Sequence, residues 1–138
     1  MTTIKNPSQE EIKDILNRSR RIAVVGLSNN PERTSYQVSK VMQEAGYEIL
    51  PVNPTIKEAL GQPAYASLTE IEGPVDIINV FRRSEHLPEV AEEAAGLDCE
   101  VFWAQLGLSN EKAYETANGA GMTVIMDKCI KVEYQRIK

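Results

Sequence analysis

The residues best suited to chemistry fall in short polar stretches, each placed just after an apolar run. The first run, Arg21-Ile22-Ala23-Val24-Val25, gives way to Gly26-Leu27-Ser28-Asn29-Asn30-Pro31-Glu32-Arg33-Thr34-Ser35, which leads into a segment with helical spacing. The free N–H groups and the dipole of a helix start favour an anion, phosphate above all. Gly26 permits a tight turn and close approach of backbone. Ser28 and Asn29 offer side-chain donors, and Arg33 adds a forked charge contact. The second run ends in Pro51-Val52-Asn53-Pro54, where two prolines stiffen the chain around Asn53 and suit a wall for adenine or ribose. The later runs end in Phe81-Arg82-Arg83-Ser84 and Trp103-Ala104-Gln105, which mix aromatic surface with cationic and amide groups. Because Arg82 and Arg83 are adjacent, only one of them is expected to face a ligand.

The same positions argue against a nicotinamide site. One glycine of G-x-G-x-x-G is present, at Gly26, and Ser28 and Pro31 replace the others poorly. The acid that holds the ribose hydroxyls belongs at the end of the second strand, where Asn53 stands. His86 is the sole histidine and lies near a helix start, where the dipole disfavours its charged form. It is a conceivable general base, set against a surface or capping role. Cys129, in Asp127-Lys128-Cys129-Ile130-Lys131, has lysines that would lower the pKa of an exposed thiol, set against a buried structural role.

The elements that must position these residues are legible as alternating patterns. Ser8 with Glu11 reads as a capping box ahead of the stripe Ile12, Ile15, Leu16, a short helix over about 8–18. A strand over 21–26 precedes a helix over 34–45, with Val38, Val41, Met42 and Ala45 on one face and Gly46 as its stop. Further strands are expected over 47–52, 64–66, 76–81, 100–103 and 122–126, and helices over 88–95 and 109–120. Strands alternating with helices imply right-handed crossovers. The expected fold is a doubly wound, Rossmann-like α/β domain with a mainly parallel sheet of five to six strands and helices on both faces. Such sheets bind ligands beyond the carboxyl ends of the strands, near the topological switch point, which gathers the polar stretches on one rim.

Composition bounds the rest. A chain of 138 residues suits one domain over 1–138. Fifteen Lys and Arg against twenty Asp and Glu leave a net charge of −5, which disfavours duplex nucleic acid and anionic membranes. Apolar runs such as Ile22 to Val25 are far too short to span a bilayer. The two cysteines, Cys99 and Cys129, show no C-x-x-C spacing, which argues against a disulfide scaffold or zinc site and for a reduced, cytoplasmic setting. The opening MTTIKNPSQEE has no apolar stretch after a basic start, so no leader is expected.

Taken together, IAVVGLSNNPERTSYQV (Ile22 to Val38), GYEILPVNP (Gly46 to Pro54), VDIINVFRRSEHLPEV (Val75 to Val90), VFWAQLGLSNE (Val101 to Glu111) and MDKCIKVEY (Met126 to Tyr134) resemble the stand-alone CoA-binding proteins. These are relatives of the nucleotide domain of the succinyl-CoA synthetase alpha subunit. The resemblance implies that CoA or acyl-CoA binds with its diphosphate on Gly26, Leu27 and Ser28 and with Arg33 close to phosphate. Its adenosine would lie near Pro51, Asn53 and Phe81. Thr34, Ser35, Asn29, Pro54, Arg82 and Gln105 complete the expected site. CoA carries a 3′-phosphate where NAD has free hydroxyls, so the missing acid after the second strand is sensible. The synthetase passes phosphate through a histidine in a second domain, whereas His86 lies within the nucleotide domain. The expected role is therefore a cofactor-binding module without catalysis of its own. The alternative is an NAD(P)-dependent reductase or an acyl-CoA-transforming enzyme using His86 or Cys129. A protein partner or a homo-oligomer stays open.

Overall fold

The alternating runs fold as the periodicities predict. The computed structural model describes residues 4–137; Met1 to Thr3 and Lys138 lie outside them. In chain order the elements are α1 (Gln9–Arg18), β1 (Arg21–Val25), α2 (Thr34–Glu44), β2 (Glu48–Val52), β3 (Glu58–Ala59), β4 (Gln62–Pro63), β5 (Val75–Val80), α3 (Leu87–Ala95), β6 (Cys99–Ala104), α4 (Glu111–Gly119), β7 (Thr123–Ile125) and α5 (Ile130–Arg136). Five parallel strands form one sheet in the order β2-β1-β5-β6-β7.

Continuous apolar strands are what a sheet covered on both faces requires, because successive side chains point to opposite sides. Ala23, Val25, Leu50, Val52, Ile78, Val80 and Phe102 pack beneath Leu87, Val90, Ala91 and Ala94 of α3 and Ala113 and Ala117 of α4. Ile22, Val24, Ile49, Ile77, Val101 and Trp103 face Ile12, Ile15 and Leu16 of α1, Val38 and Met42 of α2, and Ile130 of α5. Ser8 caps α1 as its sequence suggests, accepting the Glu11 N–H at 3.2 Å. Helix α4, expected over 109–120, starts at Glu111 behind the cap Asn110, whose side chain accepts the Ala113 N–H at 2.9 Å.

Three local features depart from the sequence pattern. The expected strand over 64–66 is reduced to one parallel bridge between Tyr65 and Val52. Tyr65 donates to the Pro51 carbonyl and accepts from the Asn53 N–H, both at 2.9 Å. The chain then turns away into a 3-10 turn over Leu68–Glu70. Ahead of it, β3 and β4 form a tiny antiparallel hairpin around Leu60 and Gly61, both at positive φ. Helix α5 lacks a recognisable stripe because its inward-facing positions include a carboxylate, Glu133, which is buried beside Ile130.

Burial leaves a pH signature. It pushes the Cys99 thiol from 9.0 up to about 12, only partly offset by backbone hydrogen bonding from Val101 and Ile78. Burial, with Tyr134 close by, likewise moves the Tyr47 phenol from 10.0 to about 12. Above pH 9 the unfolded chain releases the thiol proton while the folded chain keeps it, so stability falls as pH rises. For one thiol the loss is of order 1 kcal/mol per pH unit between about pH 9 and 12. Cys99→Ala is expected to flatten that slope in denaturant melts at pH 8.5, 9.5 and 10.5. An unchanged slope would show that the thiol ionises equally in both states.

Candidate functional site

The order of the strands puts the switch point between β1 and β5: the chain leaves β1 toward β2 on one side, and β5 pairs on the other. There the strand ends are knitted by backbone alone. The Gly26 N–H donates to Val52 O, and the Phe81 N–H to Val25 O, each at 2.8 Å. Gly26 has φ +87°, and a Cβ on it would lie 2.5 Å from Phe81 O. The notch therefore exists only because residue 26 has no side chain.

The loop after β1 holds itself in shape. The Ser28 N–H donates to Ser35 Oγ, the Asn30 N–H to Ser28 Oγ and the Glu32 N–H to Asn30 Oδ1, all at 3.0 Å. Arg33 stands at the N-cap of α2 in extended backbone and makes no side-chain cap bond. The first N–H groups of α2 thus have no side-chain acceptor from the cap, the arrangement that favours an anion. They border a cleft of about 480 Å³ lined by Gly26, Ser28, Glu32, Arg33, Thr34, Ser35 and Phe81.

A larger cleft of about 570 Å³ opens on the other side of the Gly26–Phe81 contact and shares both residues. Its walls come from the end of β2 (Val52, Asn53, Pro54, Thr55), the stretch Ala66 to Leu68, Phe81 and Arg82 after β5, and Val90 and Glu93 of α3. Val25, Val52, Leu68, Phe81 and Val90 make it largely apolar, and Arg82 lays its Cδ over Gly26. Arg33 and Arg82 make no ion pair among the described residues. Exposed Arg83 lies 3.8 Å from Glu85, so Arg82 is the member of the pair that faces the cleft.

The structure thus brings Gly26, Ser28, Arg33, Thr34, Ser35, Asn53, Pro54, Phe81 and Arg82 to two adjoining clefts. The other expected site residues stand differently. The Leu27 side chain is wholly buried, and its carbonyl accepts from Asn53 Nδ2 at 3.0 Å. Asn53 Oδ1 meanwhile accepts from Thr55 N at 2.9 Å and Thr55 Oγ1 at 2.7 Å, so this amide fixes the rim. Pro51 is buried in β2 and Asn29 is exposed on the loop; neither lines a cleft. Gln105 is buried, and its Oε1 accepts from Asn79 Nδ2 and the Ile130 N–H at 3.3 Å, tying β5, β6 and α5 together. His86 sits in a 3-10 turn and Cys129 at the N-cap of α5, both outside the two cleft linings. Reading strand ends alone missed Thr55, Ser67, Leu68, Val90 and Glu93. The pair on α3 is spaced i, i+3, a helical-face signal that needed its partner wall to be interpretable.

A two-cleft rim at a doubly wound switch point, with Arg33 and Arg82 in its linings beside Glu32 and Glu93 and with Asn53 where the nicotinamide acid would stand, suits a nucleotide-type cofactor of another class. The family model for the CoA binding domain matches residues 20–135, and the chain belongs to that family. It is 66% identical to the uncharacterized protein YneT of Bacillus subtilis over 131 residues, covering 95% of this chain and 97% of that one. It is 29% identical to the alpha subunit of the ADP-forming acetate–CoA ligase II of Pyrococcus furiosus over 82% of this chain, but spans only 27% of that subunit. A hypothetical protein from Pyrococcus horikoshii superposes with a TM-score of 0.92 at 31% identity, covering 99% of each chain. A Thermus thermophilus protein gives 0.91 at 33%, covering 96% of this chain and all of that one. No helix among the described residues is long and apolar enough to cross a membrane.

Proposed function

We propose that this protein binds coenzyme A or an acyl-CoA along the rim and acts, as one domain over 1–138 in the cytoplasm, as a cofactor-binding module with no reaction of its own. The observation that carries the reading is the pair of clefts joined at Gly26 and Phe81, one headed by the start of α2 and the other apolar with Arg82 at its edge. The diphosphate lies over Gly26 to Ser28 and takes the unoccupied N–H groups of α2, with Arg33 beside it. The adenosine enters the larger cleft against Phe81 and Pro54, and its 3′-phosphate falls to Arg82. Asn53 and Ser35 hold the loop geometry rather than the ligand.

The binding reading is favoured over a reductase or acyl-transforming enzyme because neither His86 nor Cys129 lines either cleft. The experiment is thermal melting with CoA, acetyl-CoA, NAD and NADP at equal concentration. A ligand at a hundred times its Kd adds about 2.7 kcal/mol and raises the melt by several degrees. CoA is expected to do so, and the His86→Ala variant to respond identically. A rise with NAD or NADP alone would overturn the assignment.

A further inference from the structure

The larger cleft holds one guanidinium and one carboxylate, Arg82 and Glu93, and no ion pair joins them. The other polar side chains on its walls are already engaged. Asn53 binds Leu27 O and receives Thr55 N and Oγ1, while Ser67 Oγ lies 2.6 Å from Thr69 Oγ1. Glu93 is different. Its Oε1 accepts the Leu68 N–H at 3.2 Å, which holds the carboxylate at the wall, and its Oε2 meets no donor among the described residues. The cleft therefore presents one open cationic donor and one open anionic acceptor, with apolar surface from Val52, Leu68, Phe81 and Val90 between its walls.

A nucleotide has two ends to satisfy. Its phosphates are drawn to Arg82 and the start of α2, which leaves the carboxylate for the base. A carboxylate accepts hydrogen bonds and never donates them, so it gains from a base edge that carries N–H and gains nothing from one that lacks it. We infer that Glu93 reads the base of the bound nucleotide, taking the exocyclic amine of adenine and discriminating against a purine that lacks it. The inference rests on the larger cleft being the nucleotide end of the CoA site, and it adds the residue that sets base specificity. A merely structural Glu93, capping the turn at Leu68, would affect stability and not the ratio of affinities for two bases.

That ratio is the test. The full chain is titrated with CoA and with the CoA analogue carrying unsubstituted purine, which has no N–H on that edge, in place of adenine. A hydrogen bond to a charged group predicts that wild type prefers CoA by about 10-fold. Glu93→Gln keeps its oxygen for the Leu68 N–H and turns an NH2 donor toward the base, so the adenine amine no longer finds an acceptor there. Its preference is expected to fall to within about 2-fold, with the melting temperature little changed. Equal binding of the two compounds by wild type, or an undiminished preference in Glu93→Gln, would overturn the inference while leaving the CoA site intact. Failure of wild type to bind either compound would overturn the CoA reading and this inference with it.

Discussion

Replacing Gly26 with alanine is expected to abolish CoA binding and to lower the melting temperature by about 10 °C or more. The added Cβ would sit 2.5 Å from Phe81 O, and that oxygen is backbone at the end of a central strand, so no side-chain rotation relieves the clash. Residue 26 also holds φ +87°, a conformation that costs a non-glycine residue on the order of 1–3 kcal/mol. Overpacking adds about 1–3 kcal/mol more. Relief by movement would separate the ends of β1 and β5 and break the bond from Phe81 N to Val25 O, and with it the notch joining the two clefts. Gly107 is the control: it shares φ +87°, but nothing lies within 4 Å of the place a methyl group on it would take. Gly107→Ala should therefore cost the backbone strain alone. Thermal unfolding and calorimetric titration of both variants measure the difference, and a Gly26→Ala protein that melts and binds like wild type would remove the close approach from the explanation.

The second large effect separates the two arginines. Arg82→Ala is expected to weaken CoA by about 10- to 100-fold, the worth of a charged hydrogen-bonded contact, and to weaken dephospho-CoA much less, because Arg82 borders the cleft assigned to the adenosine and its 3′-phosphate. Arg33→Ala is expected to weaken CoA and dephospho-CoA equally, because Arg33 stands at the start of α2, the place proposed for the diphosphate. Arg33 is exposed, so solvent screening makes its effect the smaller of the two. Arg82→Lys keeps the charge and loses the planar fork, and should fall between wild type and Arg82→Ala. Calorimetric titration of both ligands against the three variants reads all of this. An Arg82→Ala protein that loses both ligands equally would move the 3′-phosphate away from Arg82.

Local order in the chain carries the architecture. Apolar runs ending at Val25, Val52, Val80 and Ala104, separated by helical stripes, allow little but a parallel sheet covered on both faces, because a strand apolar on both sides must be buried on both sides. The same logic locates the rim and most of its residues, since ligands meet such sheets where their carboxyl ends diverge. Gly26 is legible from the sequence as a turn, though its contact with Phe81 is not. The strand expected over 64–66 fails because an apolar triplet does not reveal whether an edge offers it one hydrogen-bonded pair or several.

What only the tertiary structure decided is the direction and commitment of polar side chains. Gln105 and Asn53 carry the same amide, and both look like ligand contacts in sequence. Packing turns Gln105 inward to Asn79 and Ile130, and turns Asn53 across to Leu27, a residue 26 positions away. Arg82 faces the cleft while Arg83 faces Glu85, a choice fixed by how β5 ends against Gly26. Glu93 reaches the cleft only because α3 packs over the sheet beside the bridge of Tyr65 to Val52. Periodicity is a property of neighbours along the chain, and the sequence by itself determines it. Whether a polar group is satisfied within the protein or left open for a ligand depends on partners far away in sequence, and only the folded chain brings those partners within hydrogen-bonding distance.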